Sequence, residues 1–235
     1  MPERVFRFKQ FEVKHSLSAM KVGTDGVLLG AWTNIDDAYK VLDVGTGSGL
    51  ISLMLAQKSE NAHIWGIEID KEASLEARFN FDQSPWKDRL HVVNADFSTF
   101  KSSEKFDLIV SNPPFFHEDV KALDSRRSLA RSGEIALEDI IRKAAEFMHS
   151  TSLLSLILPI AQHQKVKDIA ASCGLFSQRL TRVKPTPEKH AHRILIEFSK
   201  TLKTEEISEL IIEEAGRHLY SASYRAITKD FYLNF

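Results

Sequence analysis

The stretch Val41-Leu42-Asp43-Val44-Gly45-Thr46-Gly47-Ser48-Gly49-Leu50 constrains this chain more than any other. The apolar run from Tyr39 to Val44 reads as a buried strand. Glycines follow at alternate positions, and then an apolar-periodic run opens with Leu50, Ile51, Leu53, Met54 and Leu55. The order is strand, glycine turn, helix. Glycine lets the backbone turn sharply and approach a ligand with no Cβ in the way. The free N–H groups of the helix start then face that ligand. The spacing is G-x-G-x-G after Asp43, not the G-x-G-x-x-G of a dinucleotide fingerprint, and no Lys-Ser/Thr pair follows to make a phosphate-gripping P-loop.

The rest of the chain repeats that unit. His63 to Ile69 reads as a second buried strand, Lys71 to Phe81 as a helix, Leu90 to Val93 as a third strand, and Phe106 to Val110 as a fourth. Pro113 and Pro114 stop the fourth strand and deny a following helix its start. Residues 117–133 read as a polar, basic loop, Ala136 to Met148 as a helix, and Ser152 to Leu158 as a fifth strand. Gln162 to Ser172 forms a helix closed by Gly174 as its C′ residue. Leu175 to Val183 and Ile194 to Phe198 are two last strands with no helix between them, as in an antiparallel hairpin. Thr204 starts a short helix carrying Glu206 and Glu209. The tail from Tyr220 to Phe235 is aromatic and alternating. At the other end, Phe6, Arg7, Phe8, Lys9 and Phe11 alternate as a short ribbon. Met20 to Gly26 reads as a loop with two glycine bends, and Val27 to Trp32 as a short helix.

Alternation of strands and helices implies a mainly parallel sheet covered on both faces. In such a sheet the ligand lies at the carboxyl ends of the strands. Four polar strand endings fall on that edge: Asp43 with Gly45, Glu68, Asp96 and Asn112. A length of 235 residues suits one domain over 1–235, with an N-terminal substrate- and cofactor-side extension at 1–32 and a catalytic core at 33–235. With 31 basic and 32 acidic residues, the whole molecule is not a generic polyanion binder. One cysteine, Cys173, excludes an intrachain disulfide and fits a reducing, cytoplasmic compartment. The charged N-terminus, which lacks an apolar core, is not expected to act as a secretory leader, and no apolar run reaches membrane-spanning length. A monomer is expected.

The form D-x-G-x-G-x-G resembles the first motif of class I methyltransferases that use S-adenosylmethionine. On that basis Glu68, at the end of the second strand, accepts both hydroxyls of a ribose; Asp70 is the alternative acid. Asp96 accepts from the cofactor's adenine amino group, or else closes an Asx turn. Asp43 faces the methionine ammonium, or else is a buried acid satisfied by loop amides. Asn112-Pro113-Pro114-Phe115 resembles the N-P-P-F/Y motif of enzymes that methylate an exocyclic or amide nitrogen. Asn112 Oδ1 and the Pro113 carbonyl each accept one hydrogen of a planar amino group, and Phe115 offers a face for an extruded base. Preset acceptors need no reorganisation as positive charge develops. A rigid turn after a buried strand is the competing reading.

The resemblance narrows at the chain ends. Phe8-Lys9-Gln10-Phe11, the block Met20 to Trp32, Arg193-Ile194-Leu195 and the block Tyr224 to Tyr232 are similar to the bacterial family that methylates N6 of adenine 37 in tRNA1(Val). The likeness runs nearly end to end. It implies a Rossmann-like, seven-stranded sheet with an antiparallel last strand, S-adenosylmethionine as donor, and a tRNA anticodon loop as partner. It also places Thr24 and Asp25 over the methionine end of the cofactor, where the alternative is a capped helix start. Arg126, Arg127, Arg131, Arg182, Lys184 and Arg193 are candidate phosphate contacts, with Arg193 alternatively a structural strand residue. His190 and His192 are too few for zinc, so no metal is assigned. The rival readings are a methyltransferase acting on a protein glutamine amide, a nicotinamide oxidoreductase, and an RNA-binding module without catalysis.

Overall fold

The computed structural model describes residues 4–114 and 137–234. A ribbon of β1 (Val5–Arg7) and β2 (Glu12–Lys14) precedes α1 (Thr24–Trp32). Then come β3 (Lys40–Val44), α2 (Leu50–Lys58), β4 (His63–Glu68), α3 (Lys71–Asp82), β5 (Leu90–Asn94) and β6 (Phe106–Ser111). The second half holds α4 (Leu137–Phe147), β7 (Met148–Pro159), α5 (His163–Ser172), β8 (Phe176–Lys184), β9 (Arg193–Ser199), β10 (Glu206–Ile211) and α6 (Ala222–Thr228). The main sheet runs β10-β8-β9-β7-β6-β3-β4-β5. Every pairing in it is parallel except those of β9, which runs antiparallel to β7 and β8. The strand order reverses at β3, where successive βα units turn to opposite sides.

Both faces are covered, as the near-continuous apolar strands require. On one face Val41, Leu108, Val110, Ile157 and Leu195 pack with α1, α2 and the chain ends. On the other, Leu42, Ile109, Leu154, Ile194 and Phe198 pack with α4 and α5. The α5 helix ends as its sequence predicts. Gly174 has φ +71°, and Leu175 N–H donates to Ala170 O (2.9 Å).

Three segments differ from the sequence reading. Residues after Thr204 form β10, an eighth strand at the edge beside β8, and not a helix. Glu206 and Glu209 mimic a helical face by their spacing. At a sheet edge, however, exposed charges are tolerated and favoured, and Glu209 reaches Lys184 Nζ at 3.4 Å. The alternating tail contains α6, because Ser221 caps it by accepting from Tyr224 N (3.0 Å) and Tyr224 and Thr228 fall on one buried face. Gly26 is not a bend but sits in the first turn of α1. A Cβ there would stand 3.0 Å from Leu50, and one at Gly30 would stand 2.8 Å from the Met54 sulfur, so the glycines let α1 lie close on α2. Phe115, Arg126, Arg127, Arg131 and the expected 117–133 loop lie outside the described residues.

Candidate active site

β3, β4, β5 and β6 run in one direction, so Asp43, Glu68, Asp96 and Asn112 stand at one edge of the sheet. The turn after β3 is the centre of that edge. Gly47 and Gly49 have φ of +58° and +85°, a left-handed conformation that costs an L-residue roughly 1–2 kcal/mol. A Cβ on Gly49 would lie 2.4 Å from the Phe81 ring. At Gly45 and Gly47 the opposite holds: a Cβ would meet nothing within 4 Å among the described residues. Space on the outer side of the turn is therefore kept open by absent side chains. Gly45 and Thr46 N–H donate to Ile67 O of β4 (2.9 and 3.1 Å), which bends the turn toward the neighbouring strand.

Glu68 is wired into the same turn. Its Oε2 accepts from Gly47 N–H (2.8 Å) and its Oε1 from Asp70 N–H (2.9 Å). Burial pushes its carboxyl above the usual range, and the two backbone donors oppose that shift. Asp70 is occupied differently, since its Oδ1 accepts from Ala73 N (2.7 Å) as N-cap of α3. Of the two acids, Glu68 is tied to the glycine turn and Asp70 to the start of α3. Asp96 closes an Asx turn, with Ser98 N donating to its Oδ1 at 2.8 Å.

Asp43 is fully buried. Its Oδ2 accepts from Thr46 Oγ1 and Ser52 Oγ, both at 2.7 Å. These hydroxyls satisfy that one oxygen. Oδ1 has no partner. Burial pushes the carboxyl up to about 6 against the pull of the two hydroxyls. Thr46 and Ser52 were not singled out in the sequence. The signal was faint: one hydroxyl residue inside the glycine turn and one in the otherwise apolar start of α2. Gly66 makes room for Thr46, whose side chain a Cβ would meet at 2.8 Å.

Val44 stands opposite Ser111 in the β3–β6 ladder, so Gly45 and Asn112 leave the sheet side by side. Ser111 Oγ donates to Val44 O (2.8 Å) and locks the two strand ends together. Asn112 Oδ1 is buried and has no hydrogen-bond partner among the described residues, while Pro113 is buried and Pro114 is exposed. A buried carboxamide oxygen without a donor costs about 1–3 kcal/mol. An acceptor held open at that cost, next to a ligand turn, suits a donor brought by a substrate.

Asp25 reaches the edge from another direction. Its Oδ2 accepts from Arg193 Nε at 2.9 Å, and Arg193 opens β9 opposite Pro159, the carboxyl end of β7. Arg193 therefore lies in β9 with its guanidinium paired to Asp25. Neither Thr24 nor Asp25 caps α1; Gly23 holds that position without a side-chain bond. Of the basic candidates, Lys184 pairs with Glu209 and Arg182 stays exposed. Among the described residues, no three His, Cys, Asp or Glu side chains are grouped to hold a metal ion, and no helix is long and apolar enough to cross a membrane.

These features match known proteins. The model of the methyltransferase small domain matches residues 16–150. The tRNA1(Val) (adenine(37)-N6)-methyltransferase of Bacteroides thetaiotaomicron is 41% identical over 100% of this chain and 99% of its own. The enzyme of the same name from Flavobacterium johnsoniae is 42% identical over 97% of this chain and 99% of its own. The fold is shared with a predicted O-methyltransferase of Agrobacterium tumefaciens: TM-score 0.69 and 23% identity, covering 88% of this chain and 96% of that one. The glycine turn, the Rossmann-like sheet and the end-to-end identity agree, and the chain belongs to the family of tRNA1(Val) (adenine(37)-N6)-methyltransferases.

Proposed function

We propose that this enzyme methylates N6 of adenine 37 in the anticodon loop of tRNA1(Val). The observation that carries the reading is the buried Asn112 Oδ1 at the end of β6, beside the glycine turn, without a partner among the described residues. S-adenosylmethionine is the methyl donor, and when bound it supplies an electrophilic sulfonium methyl. The residues present fit it. The outer side of Gly45 and Gly47 is open to its approach. Glu68, already oriented by two backbone donors, keeps lone pairs for ribose hydroxyls. Asp43 Oδ1 is an open acidic acceptor for an ammonium. Asp96, Thr24 and Asp25 complete the cofactor side, Asp25 through the strand end to which Arg193 ties it.

On the acceptor side the chain has to orient an amino group. An adenine N6 is planar because its lone pair is delocalised into the ring. Asn112 Oδ1 and the Pro113 carbonyl accept its two hydrogens and turn the lone pair toward the methyl. As nitrogen gains positive charge, both acceptors strengthen without moving, which is stabilisation specific to the transition state. Pro113 and Pro114 stiffen that backbone through their fixed φ. Phe115 is assigned to stack on the extruded base.

Residues 1–32 serve as the substrate- and cofactor-side extension of one methyltransferase domain over 1–235, with the core at 33–235. The enzyme is read as a cytoplasmic monomer that binds tRNA through exposed cations such as Arg182. The test is incubation of RNA from a deletion strain with labelled S-adenosylmethionine, followed by nucleoside mass spectrometry. Label in N6-methyladenosine at position 37 is the expected product. Label in ribose, or in a protein glutamine, would overturn the reading.

A further inference from the structure

The polar side of α3 takes no part in the chemistry above, yet it is deeply buried. Glu76 and Asn80 are each 2% exposed, one turn apart, among Ala73, Ala77 and Phe81. Polar groups in such a stripe are costly unless every one is paired. Both are paired, and with the same distant segment. Glu76 Oε1 accepts from Ser16 N (2.6 Å) and Leu17 N (2.8 Å), and its Oε2 accepts from Ser18 N (2.8 Å). Asn80 Oδ1 accepts from Lys14 N (2.9 Å). Its Nδ2 donates to Lys14 O and to Ser48 O, both at 2.8 Å.

Ser48 stands between Gly47 and Gly49. One carboxamide therefore joins the end of β2 to the glycine turn. That junction needs an acceptor and two donors in one plane, which a carboxamide has and an apolar or acidic side chain lacks. The tied segment is closed on itself as well. Lys21 Nζ donates to the carbonyls of His15 (2.8 Å) and Ser18 (2.8 Å), and Val22 N donates to His15 Nδ1 (2.9 Å). It leads directly into α1, whose Gly26 lies against Leu50 at the start of α2. A turn built on three left-handed glycines has few side chains of its own to hold it. Its shape depends on backbone partners of this kind.

We propose that Asn80 and Glu76 are positioning residues for the methyl donor: they hold Ser48 and residues 14–22 so that the glycine turn keeps its open side. The proposal rests on the reading of that turn as the S-adenosylmethionine site. Calorimetry on the full chain with S-adenosylmethionine tests it, together with turnover at saturating donor and hydrogen exchange at residues 14–22. For Asn80→Ala, the donor Kd is expected to rise about tenfold or more, with saturated kcat within about threefold of wild type, since the lost restraint acts on binding and not on the amino group. Exchange at 14–22 should quicken. Glu76→Asp, which keeps the charge, should recover more affinity than Glu76→Gln, which does not. An Asn80→Ala protein whose exchange quickens while its donor affinity is unchanged would overturn the proposal. If wild type itself fails to bind the donor, the cofactor reading falls instead. If Asn80→Ala does not fold, Glu76→Gln is held to the same outcomes: weakened binding supports the assignment, and unchanged binding with faster exchange overturns it.

Discussion

The carboxyl ends of β4 and β5 differ from those of β3 and β6 in one respect. At β4 and β5, the acids are engaged by backbone already: Glu68 by Gly47 and Asp70, Asp70 by Ala73, Asp96 by Ser98. At β3 and β6, Asp43 Oδ1 and Asn112 Oδ1 are buried and have no partner among the described residues. We read the first pair of strand ends as a binding surface, because its acids are already oriented by backbone donors. The second carries unmet acceptors, whose cost is recovered only with a partner in place. On the reading proposed above, the donor-binding groups include Asp43 on β3, and Asn112, assigned to the transition state, stands on the adjacent strand β6.

The largest effect expected on the binding side comes from Gly47→Val. The position has φ +58° and an open outer side, so a branched side chain is strained and also fills the approach. S-adenosylmethionine affinity should fall by about a hundredfold, or roughly 3 kcal/mol, in calorimetry, with far-UV circular dichroism still folded. Unchanged affinity would remove the cofactor from this turn. Glu68→Ala should cost less, about 1–3 kcal/mol of donor binding for a lost charged partner, with saturated kcat preserved. A loss confined to kcat would erase the contrast between the two strand pairs.

Asp43 predicts a pH dependence. Its folded pKa, raised to about 6 by burial, exceeds the unfolded value. The folded state thus holds the proton more tightly. The associated stability is full below the unfolded pKa and is lost as pH rises through about 6; Glu68 acts in the same direction. Urea midpoints of the free protein should therefore fall across that window, and Asp43→Asn should flatten the slope. A cationic donor favours the ionised carboxyl, so its affinity should fall by about tenfold from pH 7 to pH 5. A flat affinity profile in wild type would take Asp43 off the ammonium. The smallest effect belongs to RNA. Charge reversal at exposed Arg182 should reduce the slope of log K against log salt by about one, whereas an unchanged slope would place the phosphates elsewhere.

Much of this was legible in the sequence. Glycines at alternate positions after an apolar run admit few folds, and a polar residue closing each strand marks the ligand edge. The open state of Asn112 was not legible, because hydrogen-bond satisfaction depends on neighbours distant in sequence. Nor were the two hydroxyls on Asp43, or the grip of Glu76 and Asn80 on residues 14–18, which spans 58 to 66 positions. The β10 strand was missed because spacing alone does not separate an exposed helix face from a sheet edge. Ile207 and Ile211, both β-branched, were the better guide.

The central claim is that Asn112 acts on the transition state while its neighbours across β3 act on binding. Single-turnover rates and donor affinity for Asn112→Ala, measured on the same tRNA, test it most directly. The account predicts a loss of about 10²–10³ in rate, donor affinity near wild type, and partial recovery in Asn112→Asp, whose anion still accepts a hydrogen. An Asn112→Ala enzyme that folds and turns over at the wild-type rate would contradict it, and would leave Asn112-Pro113-Pro114 as a rigid turn.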